Sequence, residues 1–272
     1  MDLNGVTEFA PAADATWRQG DAWLGGGTFL FSQPQPKVTR LLDLHAFGWT
    51  AVDEAGDGVL VAATCTLAEL ARWQPASAPY APAAVLARQC CHALLGSFKV
   101  HNVATVGGNI CLSLPAGPMT SLASALDGVL LLRGPGADRR EMPAADFVTG
   151  DGRNRLRPGE LLTHLWLPAA PLAARTAFRQ LSLSPVGRSA VLVIARRDPG
   201  GQTVVTVTAS TPRPVQLRFP APPAPAEALA RLDAAGADGE GARYLDDVHG
   251  NATWRAAMTR RLVTEALAEV SG

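Results

Sequence analysis

The apolar residues of this chain occur in short runs, which limits the folds that the chain can form. The longest uninterrupted runs, such as residues 129–132 and 191–195, are the length of a β-strand. A helix that spans a bilayer needs about 20 apolar residues. The sequence therefore predicts no membrane span and a globular fold that combines several short strands with helices.

The overall charge excludes some classes of partner. Among 272 residues, 24 Lys and Arg balance 24 Asp and Glu, so no net field draws the chain to nucleic acid or to an anionic membrane. The densest basic stretch, residues 153–157, is short and lies beside Asp151 and Glu160, which is typical of a solvated loop. The N-terminus lacks the pattern of a secretory signal, so a cytoplasmic location is expected.

The four cysteines do not have the spacing of a metal site. Cys65, Cys90, Cys91 and Cys111 form no C-x-x-C motif, so neither a zinc site nor an iron–sulfur cluster is predicted on this chain. They are expected to be buried, reduced thiols. A G-x-S-x-G nucleophile motif is also absent. We predict no catalytic residue and no metal ligand here.

A connector of small residues at 169–174 divides the chain into two predicted domains, residues 1–168 and 173–272. The first should be an α+β domain, with a helix that begins at a capping box formed by Thr66 and Glu69. Other predicted elements are strands at 38–44, 58–63, 128–133 and 160–167 and helices at 83–95 and 120–126.

The second domain is predicted to hold a three-stranded sheet and helices. Its strands are expected at 176–183, 190–196 and 203–210, the last with alternating valine and threonine. A proline-rich linker follows at 220–229. Apolar residues at helical spacing then predict a packing helix over 252–270.

Two glycine segments of the first domain indicate a binding site: GGGT at 25–28 and TVGGN at 105–109. Glycine adopts positive φ freely and lets backbone NH groups approach an anion closely. Successive NH groups can hold phosphate without a lysine or arginine. Neither segment matches a P-loop or a Rossmann fingerprint. Each alone is compatible with an ordinary turn, but together they suit a diphosphate gripped from two sides.

Several motifs, in order along nearly the whole chain, resemble one protein family. They are GSFKVHNVATVGGNI at 96–110, PAG at 115–117, LD at 126–127, MPAADF at 142–147, RPGELL at 157–162 and DDVHG at 246–250. In this combination the chain resembles the FAD-binding medium subunit of molybdenum hydroxylases, the carbon monoxide dehydrogenase and xanthine dehydrogenase family.

The resemblance implies a fold and a set of site residues. The fold would be a two-part FAD-binding fold of the vanillyl-alcohol oxidase type, followed by a small C-terminal sheet and a helical bundle. Leu162 would lie against the isoalloxazine ring, although core packing explains it equally well, and Arg179 would lie near the flavin edge. Two loops would hold the pyrophosphate: Gly25, Gly26, Gly27, Thr28 and Phe29, and Thr105, Val106, Gly107, Gly108 and Asn109.

The chain departs from the family pattern in the second loop region. Pro118 stands where the family usually has an aspartate, and a proline offers neither a side-chain acceptor nor a backbone NH. Phe29, His101 and Leu112 also replace residue types that are common there. We therefore expect the adenosine end of FAD to be held differently from the family norm.

The resemblance also implies a function. FAD, bound non-covalently, would accept electrons from 2Fe-2S clusters on a small partner subunit and pass them to an external acceptor. A large partner would carry the molybdopterin, in a heterotrimer or its dimer. Two alternatives stay open: a stand-alone flavoprotein oxidase or reductase, and a regulatory subunit with a degenerate flavin site.

Overall fold

The structure is a computed structural model that describes residues 3–136, 138–237 and 244–272. It begins with a small parallel sheet in which the third strand lies between the first two. Buried Arg40 fastens this sheet, because its guanidinium donates to both carboxylate oxygens of Asp21 at 2.8 and 2.6 Å. The strands are β1 (Glu8–Pro11), β2 (Asp21–Leu24) and β3 (Arg40–Asp43), and short 3-10 helices follow at Ala12–Asp14 and Leu44–Phe47.

A second, antiparallel sheet forms the centre of the N-terminal half. Its order is β4-β5-β10-β6-β7, with a separate hairpin of β8 and β9. The predicted strands at 58–63, 128–133 and 160–167 are confirmed as β5, β6 and β10. The bounds are β4 (Val52–Ala55), β5 (Gly58–Ala62), β6 (Val129–Arg133), β7 (Arg139–Pro143), β8 (Val148–Gly150), β9 (Arg153–Asn154) and β10 (Leu161–Pro168).

In the described part of the chain, seven short helices accompany this sheet, and all of them except α3 contribute buried residues to a hydrophobic core shared with β5, β6 and β10. The predicted capping box is confirmed, since the Thr66 side chain accepts from the Glu69 NH and the Glu69 carboxylate accepts from the Thr66 NH. The bounds are α1 (Leu67–Ala71), α2 (Ala81–Ala93), α3 (Phe98–His101), α4 (Val106–Leu112), α5 (Pro118–Ala125), α6 (Ala144–Phe147) and α7 (Ala169–Leu172), with a 3-10 turn at Ala78–Tyr80.

The C-terminal sheet has four strands, so the prediction of three was wrong. The missed strand, β14, is a short edge segment between prolines, and its alternation of buried and exposed residues runs for only five positions. The predicted C-terminal helix is confirmed, whereas the proline-rich stretch contains a helix start at Pro225, where the fixed φ of proline is tolerated. The elements are β11 (Arg175–Leu181), β12 (Val191–Arg197), β13 (Thr203–Thr208), β14 (Val215–Phe219), α8 (Pro225–Ala237) and α9 (Ala252–Ser271).

The C-terminal sheet is covered on both faces, which explains why every residue of β13 is buried. Residues of α9 pack on one face, and Leu192, Ile194 and Ala209 join the core of the N-terminal half on the other. Fully buried Arg196 ties the two halves together, because it donates to the Asp127 carboxylate at 2.7 Å and to the Ala125 carbonyl at 2.6 Å. Within the described part of the chain, no helix is both long and apolar enough to cross a membrane.

Candidate functional site

A cavity of about 560 Å³ opens between the loop after β2 and the start of α4. It brings together all of the predicted site residues except Val106 and Arg179. The lining includes ten of them: Gly25, Gly26, Gly27, Thr28, Phe29, Thr105, Gly107, Gly108, Asn109 and Leu162. Among the described residues, no lysine or arginine lines it.

The first glycine segment, residues 25–28, packs directly on the backbone before α4. A Cβ built on Gly26 would lie 1.5 Å from the Val103 carbonyl oxygen, so no side chain fits there. Gly27 adopts a φ of 69°, in the left-handed region that favours glycine. The backbone NH groups of residues 26–29 donate to no other residue that the structure describes. These four residues line the cavity, so their NH groups are available as donors to a ligand there.

The second glycine segment is not a loop, because Val106–Leu112 is helical. Thr105 caps this helix, and its hydroxyl oxygen accepts from the Gly108 NH at 3.1 Å. The NH groups of Val106 and Gly107 donate to the Cys65 and Ala63 carbonyls at 2.8 and 2.9 Å.

The NH of Asn109, the last residue of the second glycine segment, donates within the helix to the Thr105 carbonyl. The NH groups of residues 106–109 are thus all used by the fold, in contrast to the predicted nest. Gly107 has a packing reason instead, since a Cβ there would lie 2.5 Å from that of Ala63. Val106 is buried and does not line the cavity.

Asn109 connects the cavity to the turn that carries Pro118. Its side-chain oxygen accepts from the Met119 NH at 3.0 Å, and its side-chain NH2 donates to no other described residue. Pro118 is buried at the first position of α5, where a missing NH costs nothing. The side-chain oxygen of Asn109 therefore accepts from the first turn of α5, and its NH2 group stays available to a ligand.

Cys111, which also lines the cavity, has the character of a structural thiol. Burial raises the pKa of Cys111 to about 12, so the thiol is protonated at neutral pH. All four cysteines are free, and Cys65, Cys90 and Cys91 are buried, as predicted. Across the residues that the structure describes, no group of His, Cys, Asp and Glu is placed to hold a metal ion.

Glu160 is a cavity residue that the sequence reasoning missed. Its carboxylate accepts from both Nε and Nη2 of Arg140 at 2.7 Å and from the Arg157 NH at 2.7 Å. The hydrogen bonds from Arg140 hold the pKa of Glu160 below its usual range. The carboxylate thus braces the turn before β10, which carries Leu162 to the cavity. The signal was present in the RPGE turn ahead of a buried strand.

Trp23 lies at the end of β2 and was also missed as a lining residue. Its buried indole NH has no hydrogen-bond partner among the residues that the structure describes. Nothing in the sequence before the first glycine segment indicates which side chain faces the cavity.

The structure does not bring Arg179 to the cavity. Arg179 lies on β11 and pairs with Glu269 of α9, with Nη2 2.6 Å from the carboxylate, and its Nε lies 3.7 Å from Glu265. Because the guanidinium is satisfied by α9, it has a structural role between the C-terminal sheet and helix.

The donor set of the cavity fits the FAD that the sequence motifs imply. Free NH groups at residues 26–29, the Thr28 hydroxyl and the Asn109 amide can donate to phosphate or ribose oxygens. Leu162 and neighbouring apolar residues provide a surface for a flat ring. The described lining offers no cation for the phosphates, so NH dipoles would have to bind their charge.

Comparisons with known proteins agree with this chemistry. A family model described as "FAD binding domain in molybdopterin dehydrogenase" matches residues 12–170. The nicotinate dehydrogenase FAD-subunit of Eubacterium barkeri is 31% identical over 91 residues, which is 32% of this chain and 30% of that protein. The nicotine 6-hydroxylase medium subunit of Paenarthrobacter nicotinovorans is 25% identical over 259 residues, or 86% of this chain and 82% of that protein.

The fold is also that of a solved structure. A chain of the reconstituted CO dehydrogenase from Oligotropha carboxidovorans superimposes with a TM-score of 0.81 at 21% identity, covering 98% of this chain and 97% of that one. The mixed helix-and-sheet fold is thus shared. Because the family match covers more than half of the chain, the protein belongs to the family of the FAD binding domain in molybdopterin dehydrogenase, whose members are oxidoreductase components.

Proposed function

We propose that the chain is the flavin subunit of a multi-subunit molybdenum hydroxylase. It binds one FAD non-covalently in the cavity, receives electrons from 2Fe-2S clusters of a small partner subunit and passes them to an external acceptor. A large partner subunit carries the molybdopterin centre where the substrate is oxidised. The assembly is a heterotrimer or its dimer, in the cytoplasm.

The observation that carries this proposal is that the NH groups of residues 26–29 have no acceptor, and the cavity wall no cation, within the described ranges of the chain. Such a wall suits a diphosphate, and the matching family model is one of FAD binding domains. A relative named as a medium subunit covers 86% of this chain, which supports a dedicated subunit.

The residues of the chain bind and orient the cofactor, and FAD itself supplies the redox chemistry. The segment from Gly25 to Phe29 holds the diphosphate through its NH groups. Thr105, Gly107 and Gly108 line the cavity beside this segment, and Asn109 offers its NH2 to the same ligand. Leu162, on β10, packs against the ring. The protonated thiol of Cys111 favours non-covalent binding.

The architecture of the proposal is the two-part flavin fold of the vanillyl-alcohol oxidase type. The three-stranded parallel sheet and the five-stranded antiparallel sheet would be its two parts. The cavity is lined by the loop after β2 and by α4. The proposed domains are residues 1–168 and 173–272. They meet at α7, which connects β10 to β11.

Absorbance of the purified chain tests the proposal directly. We expect the two visible bands of oxidised flavin, a flavin-to-protein ratio near one, and complete release of the yellow colour on denaturation. A colourless protein that does not take up added FAD would refute FAD binding. Colour that stays with the denatured chain would instead favour a covalent, stand-alone flavoprotein.

A further inference from the structure

The turn between α4 and α5, residues 113–117, is held in part by the C-terminal half of the chain. Leu114 of this turn lines the cofactor cavity, and the described residues that line the cavity all fall between Trp23 and Leu162. The Pro115 carbonyl, however, accepts from the Ala209 NH at 2.8 Å, and Ala209 directly follows β13. A residue of the C-terminal sheet therefore fixes the backbone of the turn beside the cavity.

Ala209 has a backbone conformation that alanine rarely adopts. Its φ is 65°, and the Ser210 NH donates to the Thr208 carbonyl at 2.7 Å, so residues 208–210 form a tight three-residue turn. A positive φ brings the Cβ of any residue other than glycine close to its own backbone. Such a conformation persists only where the surrounding contacts determine it.

Arg255 of α9 supplies the contacts that hold Ala209. Arg255 is 1% exposed, and its Nη1 donates to the Ala209 carbonyl at 2.7 Å. Its Nε donates to the Gly250 carbonyl at 3.0 Å and its Nη2 to the Asp247 carboxylate at 2.6 Å. The planar guanidinium is thus fixed by three partners, and a lysine could not satisfy all three from one group.

The turn that Ala209 fixes also orients the amide of Asn109. The helix α5 begins at Pro118 without a side-chain cap from Gly117, and the Met119 NH donates instead to the side-chain oxygen of Asn109 at 3.0 Å. A Cβ on Gly117 would lie 3.3 Å from that oxygen, so the turn packs closely against Asn109. Because Met119 uses the oxygen, the NH2 is the end of the amide that is left for the cavity.

A second contact from the C-terminal sheet holds α5 in the same place. Thr208 and Ser121 are both buried, and their hydroxyl oxygens are 2.7 Å apart. The Ser121 hydroxyl donates to the Gly117 carbonyl at 3.3 Å, so the Thr208 hydroxyl is the donor of the pair. Two successive residues, Thr208 and Ala209, therefore bind α5 and the turn before it.

We propose that Arg255 is a positioning residue of the cofactor site. It holds the strained Ala209 peptide, Ala209 fixes the turn at 113–117, and the turn presents the Asn109 NH2 to FAD. The inference rests on the proposed function, because it takes FAD as the ligand of Asn109. It gives the C-terminal half a part in cofactor binding although its residues do not touch the ligand.

The test is a titration of the full-length apo-protein with FAD, followed by flavin fluorescence, below the melting temperature of each variant. Arg255→Lys is expected to raise the dissociation constant for FAD about 10-fold. The matched control is Arg196→Lys, at a second fully buried arginine, which donates to the Ala125 carbonyl at the other end of α5. Both variants should lower the melting temperature, but the control should bind FAD as tightly as the wild type.

Two double variants distinguish positioning from a general loss of stability. Glycine adopts a positive φ freely, so Ala209→Gly should restore most of the FAD affinity that Arg255→Lys loses. In a chain that already carries Asn109→Ala, Arg255→Lys should have little further effect, because the group that it positions is gone. An arginine that only stabilises the C-terminal half would produce neither result.

If Arg255→Lys does not fold, Thr208→Val decides the question, since it keeps the shape of the side chain and removes the hydroxyl contact with Ser121. Its control is Thr206→Val, at a buried threonine of the same strand whose hydroxyl accepts from the Gln216 side chain at 3.4 Å. Thr208→Val should weaken FAD binding about threefold or more, and Thr206→Val should leave it unchanged.

The outcomes separate this inference from the function on which it rests. A wild-type chain that does not bind FAD would refute the proposed function. A wild-type chain that binds FAD, with equal affinity in Arg255→Lys, would overturn the positioning role alone. So would a loss of affinity that Arg196→Lys shares, or one that persists in full beside Ala209→Gly or Asn109→Ala. Equal affinities in the two threonine variants would overturn it as well.

Discussion

Substitution of Gly26 tests the central feature of the cavity, the contact between the first glycine segment and the backbone before α4. In Gly26→Ala the new Cβ would lie 1.5 Å from the Val103 carbonyl oxygen and 2.5 Å from its carbon. Ordinary contact begins near 3.4 Å, so the two backbones must separate by about 2 Å. Neither atom belongs to a flexible side chain, and the backbone has to move.

The expected result follows from that displacement. Overpacking of this kind costs about 1–3 kcal/mol of folding free energy. The effect on the ligand should be larger, because NH donors at residues 26–29 that shift by more than 1 Å no longer reach the same oxygens. Loss of two such charge-assisted bonds, at roughly 1.5–3 kcal/mol each, would weaken FAD binding at least about 100-fold.

The measurement is a titration of apo-protein with FAD, followed by flavin fluorescence, beside a thermal unfolding curve for each variant. Gly200→Ala is the matched control, since a Cβ there meets nothing within 4 Å and its φ is not in the left-handed region. Gly25→Ala should be intermediate, because its Cβ would lie 3.0 Å from the Thr105 hydroxyl oxygen. Wild-type FAD affinity in Gly26→Ala would refute the reasoning.

Three further changes test the surroundings of the cavity and the junction of the two halves. Thr105→Val removes the cap of α4 and should cost about 1 kcal/mol, measured by urea unfolding, with Thr105→Ser retaining most of the stability. Asp127→Asn weakens the partner of buried Arg196 and should destabilise the chain by about 1–3 kcal/mol, whereas an unchanged midpoint would show that this ion pair contributes nothing. The pKa of Glu160 is lowered in the folded chain, so its ionised carboxylate stabilises the fold at pH values above the usual pKa of 4.5. This stabilisation is lost as the pH falls below 4.5 and through the lowered pKa. Glu160→Gln should therefore lower the melting temperature at pH 7 and reduce its dependence on pH in the acid range, as measured by thermal scans from pH 3 to pH 7.

The elements that the sequence predicted best are those with a local physical signal. The capping box at Thr66 and the strand β10, which ends at Pro168, were both predicted within a few residues. The long helix α9 was predicted from its apolar spacing alone. These patterns depend on neighbours in the chain, so a single sequence contains the information.

The features that were missed depend on contacts between distant segments. TVGGN was expected to be a loop that binds pyrophosphate, and two glycines do disfavour a helix by about 1 kcal/mol each. The structure shows the reason that they are tolerated: Gly107 lets α4 approach Ala63 closely. Likewise, the loss of Arg179 from the cavity results from Glu265 and Glu269 on a helix far along the chain. No local pattern predicts such pairings.

The two glycine segments therefore differ in how their backbone NH groups are used, although their sequences are alike. In the first, the NH groups of residues 26–29 have no acceptor among the described residues and a backbone carbonyl fits against Gly26, whereas the NH groups of the second donate within the first turn of α4 and to the turn that follows β5. A diphosphate would thus be held by the backbone of the first segment, with the Asn109 side chain as a further donor in the same cavity. Because a ligand that satisfies free NH groups binds only the folded chain, FAD at 100 times its dissociation constant should stabilise the protein by about 2.7 kcal/mol. This stabilisation depends on the NH groups of residues 26–29. It does not require the acidic side chain that the family usually has where Pro118 stands.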